Sequence, residues 1–259
     1  MRPEKSVRKI TLIKILLRSF FIHTTLNFKR MQNLGFAMSM LPLIEVLRLN
    51  EEESRDLMIR HLQLFNTHPY FSASVIGSVV KFEEEKKVLA DDSVDISAIK
   101  KSLMASYAAI GDIFFWGAFR PFAVIFATFL AYMGFVVAPL AFLLIYTPMH
   151  LWVRIGGFWE GYRRGKAGFE FVRDLNLPNV AVKVRWFSLI LLAVLAVWLS
   201  LSAPWGAFAH LPVFVALGTS LALVLASLFL IGRGVSQTYI IYGSFLLSLL
   251  ILSGKDFLN

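Results

Sequence analysis

The chain has 259 residues, 57% of them hydrophobic, with 24 Phe and 6 Trp against 17% charged residues. A soluble domain has no interior large enough for that apolar surface, so the composition points to a polytopic membrane protein. Cys is absent, which excludes disulfides, thiolate metal sites and thiol nucleophiles. The net charge of +9 comes from basic residues flanking apolar runs, which suits an anionic membrane surface and argues against nucleic acid.

Residues 1–35 carry eight Lys/Arg and one acid. Within them VRKITLIKILLRSFFIH, residues 7–23, sets Arg8, Lys9, Lys14 and Arg18 among Ile, Leu and Phe. The pattern reads either as a basic amphipathic helix lying in the membrane interface or as a helix packed on the protein's own core. Lys14 and Arg18 interrupt the apolar residues and no small-residue cleavage site follows, so no cleavable signal peptide is expected.

The segment NFKRMQNLGFAMSMLP, residues 27–42, places polar Asn27, Gln32 and Asn33 beside an apolar run too short to cross a bilayer. A charged helix opens at Glu51. It leads into HLQLFNTHPYFSASVIG, residues 61–77, where Thr67-His68-Pro69 must break the helix, because a residue before Pro avoids the helical region. Asn66, Thr67 and His68 thereby gather hydrogen-bonding groups at a break flanked by Phe65, Tyr70 and Phe71. Such a break either lines a cavity or forms a capped turn at the water interface. Residues 81–95 read as a solvated charged helix and turn with no chemistry of their own.

At IGDIFFWGAFRP, residues 110–121, the chain changes solvent: residues 121–153 hold no Lys, Arg, Asp or Glu. Asp112 and Arg120 stand at that threshold, about two turns and roughly 80° apart on a helix, with Trp116 between them. Pro121 removes a backbone donor directly after the arginine, so a kink or helix start is expected. The group reads as an interfacial anchor, with Trp116 at headgroup level and Arg120 snorkelling. The other reading is a polar site at membrane depth, with Arg120 paired to an acid such as Asp112. The 42 residues 112–153 fit two spans or a re-entrant hairpin turning at Gly134 and Pro139.

Residues 154–185 hold seven basic and three acidic residues, and Gly157, Gly161 and Gly165 recur every four residues as one smooth face for close helix contact. Residues 186–232 form 47 residues without a formal charge, broken at Ala203-Pro204-Trp205-Gly206. Spans are expected at about 186–203, 211–232 and 234–254. The fold class is therefore an all-α membrane protein: interfacial amphipathic helices, a broken-helix or re-entrant hairpin region, and about three full C-terminal transmembrane helices. Four segments divide it: 1–110 interfacial with the helix break, 111–153 the hairpin, 154–185 the basic connector, and 186–259 the C-terminal spans. The basic clusters put the N-terminus in the cytoplasm and the C-terminus outside.

No phosphate loop, GxGxxG or GxSxG elbow is present, and the five histidines lack metal-ligand spacing. No catalytic residue, metal or cofactor is expected. Two classes survive: a transporter subunit with a polar site at broken helices, or a membrane scaffold that binds other subunits.

Four segments, RMQNLGFAMSMLP (30–42), HLQLFNTHPYFSASVIG (61–77), IKKSLMASYAAIGDIFFWGAFRP (99–121) and RIGGFWEGYRRG (154–165), resemble in order and spacing the IID component of the mannose-type sugar phosphotransferase system. The resemblance covers roughly residues 20–165, and FNTHPY followed by IGDxxFWGxxRP is highly specific. It implies a subunit of the bacterial inner membrane that pairs with a IIC subunit of related, inverted design, in higher oligomers. In the family the pair moves a hexose while a soluble IIB phosphorylates it from a phosphohistidine, and IID carries no phosphohistidine. His68 is then a binding or structural residue. A sugar pocket needs carboxamide, carboxylate and imidazole groups with an aromatic wall. Asn66, His68 and Asp112 are the first candidates, Gln32 and Asn33 a further cluster, and Arg120 with Trp116 are structural. Only residues 202–211 separate two C-terminal spans where the family usually has a longer segment, which leaves a non-transporting, regulatory paralogue as the alternative role.

Overall fold

The computed structural model describes residues 7–89, 94–202 and 213–256. The chain divides into two compact units, residues 1–192 and 193–259. Among the described residues all regular structure is helical, and the only β features are isolated bridges joining Met31 to Asn27 and Phe65.

In the first unit α1 (Lys9–Ser19) packs antiparallel on α2 (Asn33–Val46). Its Leu12, Ile15 and Leu16 face inward while Ile10, Ile13 and Leu17 stay exposed. One face is therefore core, as one of the two sequence readings has it; the other is an apolar stripe exposed among the described residues, beside lysines and an arginine. The next helix, α3 (Glu51–His61), begins where the Asn50 side chain accepts from the Glu53 N–H and Glu53 accepts from the Asn50 N–H. That reciprocal cap satisfies two otherwise orphaned donors. After the break at residues 62–71, α4 (Ser72–Leu89) runs through the centre of the unit.

The charged end of α4 differs from the expected solvated helix. Glu83 and Glu84 are each about 4% exposed. Glu83 accepts two bonds from Arg60 at 2.8 and 2.9 Å and one from His61 Nε2 at 2.8 Å. Glu84 accepts from the Val7 N–H and the Tyr162 hydroxyl. A run of charges reads as surface in one dimension, but buried carboxylates persist where cations and hydroxyls from other helices converge on them. Burial alone would raise the Glu83 pKa, yet the hydrogen bonds from His61 and Arg60 outweigh it and hold it low.

A continuous helical run of 37 residues follows, 96–132. It consists of α5 (Ile96–Gly111), a π-helical segment (Asp112–Phe119) and α6 (Arg120–Tyr132). A turn through Gly134 at φ +86° reverses the chain into α7 (Ala138–Arg164). α4 and α7 form the closest helix pair. A Cβ at Gly157 would strike the Ser74 hydroxyl, and one at Gly161 would lie 2.5 Å from the Ser74 carbonyl. Gly77 on α4 answers by abutting the Phe158 carbonyl. Small residues on both helices let the backbones touch. Gly165 does something else: at φ +56° it ends α7 in a conformation that disfavours side chains. A short α8 (Gly168–Asp174) and α9 (Leu177–Ser202) carry the chain onward.

The second unit holds α10 (Val213–Gly232) and α11 (Gln237–Asp256), joined through Gly234 at φ +85°. The expected break at Ala203–Gly206 lies outside the described residues. Three helical runs are long and apolar enough to cross a membrane among the described residues: Ile96–Tyr132, Ala138–Arg164 and Gly168–Leu199. Helix therefore extends well into the basic stretch 154–185, which hydropathy alone reads as a connector.

Candidate functional site

The helix break at 62–71 is held from three sides. Gln32 clasps Thr67: its Oε1 accepts the Thr67 N–H at 3.1 Å and its Nε2 donates to the Thr67 carbonyl at 2.7 Å. Asn33 Nδ2 donates to the Leu62 carbonyl at 2.7 Å, and its Oδ1 accepts from Asn27 at 2.8 Å. From α5, the Met104 carbonyl accepts the Thr67 hydroxyl at 3.0 Å. From α7, Arg154 Nη2 donates to the Pro69 carbonyl at 2.7 Å, its guanidinium lying 4.5 Å from the Phe20 ring centre. Gln32 and Asn33, 2% and 4% exposed, thus spend their amides on the loop itself.

His68 sits at the middle of this loop, 1% exposed. Its ring stacks on Phe115 at 5.2 Å and meets Trp116 at 4.8 Å and Tyr70 at 4.9 Å. Nδ1 accepts the Tyr70 N–H at 3.3 Å, which leaves the proton of the neutral ring on Nε2. Among the described residues Nε2 has no hydrogen-bond partner. Burial first, then the neighbouring His23 and Arg154, pushes the His68 pKa down to about 3. The imidazole is a neutral donor in an aromatic box, unsuited to carrying a proton at physiological pH.

The Gly-Asp pair of the entry motif divides its work. Gly111 lies against the His68 ring, where a Cβ would overlap the imidazole Cβ and Cγ. Asp112 and Trp116 are exposed on the same helical run. Asn66 is exposed too, and its backbone N–H points to the Met104 sulfur at 3.0 Å. Exposed Asn66 and Asp112 thus accompany the box that buries His68. Arg120 is exposed, and among the described residues it forms no ion pair with Asp112 or another acid. Eight residues of α-helix would separate the two by about 12 Å along the axis, beyond the reach of a close pair.

The π segment explains the rest of the motif. Pro121 has no N–H for the carbonyl of Gly117, its α-register acceptor, or of Trp116, its π-register acceptor. Arg185 on α9 supplies donors instead: Nε to the Gly117 carbonyl at 3.0 Å and Nη2 to the Ile113 carbonyl at 3.2 Å. Gly117 leaves the guanidinium room, since a Cβ there would come 3.1 Å from Arg185 Nη2. Irregular helix at membrane depth requires such substitutes, and π segments concentrate at functional sites. Sequence reasoning missed Arg185, Arg154 and Gly111. Arg185 at the edge of an apolar run reads as a snorkelling anchor, and only the pairing of Gly117 with Pro121 hints that a carbonyl needs an outside donor. Among the described residues no cluster of His, Asp and Glu suited to a metal occurs.

Comparison with known proteins agrees with this architecture. The model of the PTS system mannose/fructose/sorbose family IID component matches residues 6–254, extending well past the 20–165 stretch that carries the motifs. The mannose-specific EIID component of Escherichia coli K12 is 34% identical over 67% of this chain, and the match spans 61% of that relative's length. The fructose permease IID component of Bacillus subtilis 168 is 30% identical over 79% of this chain and 75% of its own. A solved structure described as a membrane protein superposes with a TM-score of 0.72 at 26% identity, covering 97% of this chain and 98% of that one. The mannose transporter ManYZ in complex with microcin E492 superposes at 0.58 with 26% identity, covering 98% of each chain. On the family match over residues 6–254 and the helical fold of the described residues, the chain belongs to the mannose/fructose/sorbose family of IID components of the sugar phosphotransferase system.

Proposed function

We propose that this chain works with a IIC-type membrane subunit to carry a hexose across the bacterial inner membrane, while a soluble IIB subunit phosphorylates the sugar. In this role the N-terminus is cytoplasmic, the C-terminus periplasmic, and the IIC/IID pairs assemble into a higher oligomer. Asn66, His68 and Asp112 line the sugar path. Gln32 and Asn33 brace it, and Arg120 meets its counter-charge on the partner. The carrying observation is His68: a buried, neutral Nε2–H with no acceptor among the described residues, walled by Phe115, Trp116 and Tyr70. Since His68 is 1% exposed in this structure, a sugar hydroxyl supplies the missing acceptor once the loop opens, and aromatic faces suit the apolar face of a pyranose. Catalysis is the task of IIB, so this chain contributes position and shape.

The test is Asn66→Ala, Asp112→Asn and His68→Gln, each scored for recovery of the assembled complex and for sugar uptake. Loss of a sugar contact lowers uptake per assembled complex. Wild-type uptake per complex in all three would make the residues structural caps and remove the assignment.

A further inference from the structure

The outer side of α1 has no part in the proposed sugar path and carries an exposed apolar stripe. Ile10, Ile13, Leu17 and Phe21 are exposed by 58%, 42%, 58% and 60%. Ile10, Ile13 and Leu17, three and four residues apart, form one stripe on a helix whose opposite face is already in the core, and Phe21 extends it into the following turn. At the N-terminal end this stripe runs into a groove of about 330 Å³ between α1 and the C-terminal half of α2. Arg8, Ile10, Thr11, Lys14, Glu45 and Arg48 contribute to its lining. Three cations therefore face one carboxylate, and among the described residues Arg8, Lys14 and Arg48 make no ion pair.

We propose that the α1/α2 groove binds an anionic phospholipid, its phosphate seated among Arg8, Lys14 and Arg48 and its acyl chains laid along Ile10, Ile13 and Leu17. A concave cationic site continuous with an exposed apolar stripe matches an amphiphile with an anionic head. A free anion leaves the stripe unexplained, and a partner helix would have to bring acids to the groove and apolar residues to the stripe together. The same charges belong at a cytoplasmic membrane surface, where anionic lipids concentrate. The inference rests on this groove and on the membrane fold, independently of the sugar site.

The test uses the full chain in its purified membrane complex, delipidated and titrated in native mass spectrometry. The probes are phosphatidylglycerol, phosphatidylethanolamine and inorganic phosphate. Phosphatidylglycerol, the net anionic lipid of the two, is expected to bind about tenfold or more tighter than phosphatidylethanolamine, on the scale of one or more Lys/Arg attractions to anionic lipid. The triple variant Arg8→Gln, Lys14→Gln, Arg48→Gln loses that preference. A control triple, Lys29→Gln, Arg55→Gln, Lys101→Gln, retains it. Glu45→Gln removes the one acid in the groove and tightens phosphatidylglycerol, a gain that misfolding cannot imitate. Equal affinity for the two lipids, an unchanged preference in the groove triple, or weaker binding in Glu45→Gln overturns the proposal. Two further results also overturn it: inorganic phosphate binding as tightly as phosphatidylglycerol, which marks a free-anion site, and loss of a partner subunit with lipid binding intact, which marks a protein-docking face.

Discussion

Arg185 and Pro121 should be energetically coupled although they share no covalent or ionic contact. Arg185→Ala removes two hydrogen bonds from a charged donor, at 3.0 and 3.2 Å, to carbonyls of the π segment. Bonds from charged groups contribute about 1.5–3 kcal/mol each when the acceptor is left unpaired. Arg185 is an exposed side chain, so a net loss of about 2 kcal/mol for both is the working figure. For chains of 150–250 residues that corresponds to a fall in Tm of roughly 4–8 °C. Pro121→Ala restores a backbone N–H that can satisfy the Gly117 carbonyl from within the helix. In the double variant the Arg185→Ala loss should therefore shrink by about 1 kcal/mol, one neutral hydrogen bond. The assay is a four-membered cycle of thermal midpoints on the purified complex, with sugar uptake alongside. Uptake should fall in Arg185→Ala, because an unclamped segment can slip from π to α register and turn Asp112 and Trp116 away from their present direction relative to Arg120. Coupling smaller than about 0.5 kcal/mol, the ordinary additivity error, would refute the argument that Arg185 replaces the donor Pro121 lacks.

Gly111→Ala should displace His68, because the new Cβ overlaps the imidazole; overpacking of this kind costs about 1–3 kcal/mol and should lower recovery of folded complex. Wild-type recovery and wild-type uptake together would show that the close approach is dispensable. The pKa of His68 falls from 6.5 to about 3 in the folded chain, so the folded state binds fewer protons than the unfolded one below pH 6.5. Stability should decline as pH drops from 6.5 to 5, with a His68 contribution that steepens to at most about 1.4 kcal/mol per unit. His23 and His61 shift in the same direction through burial, so His68→Gln should reduce the slope without abolishing it. Identical slopes in the two proteins would contradict a buried neutral His68. An alkaline phosphatase domain fused to the C-terminus should be active, and signal from a cytoplasm-only reporter there would reverse the proposed orientation.

The solvent and the local breaks were legible from residue order alone. Apolar composition and charge-free runs required membrane helices, Pro69 required a break at Thr67-His68, and Gly134 marked the turn between two helical runs, because these effects act within a few residues of their cause. It also placed Asn66, His68, Asp112 and Trp116 under suspicion, since polar groups beside apolar runs stand out without coordinates. Which polar groups are saturated by neighbours emerges from packing alone. Gln32 and Asn33 use their amides on loop carbonyls 29 to 35 residues away. Glu83 looks like surface until Arg60 and His61 arrive from another helix. Arg185 becomes part of the π segment only when α9 is laid beside it, 68 residues from Gly117. Each of these depends on a partner distant in the chain, and burial and hydrogen-bond satisfaction are properties of pairs brought together by packing, which no local pattern encodes.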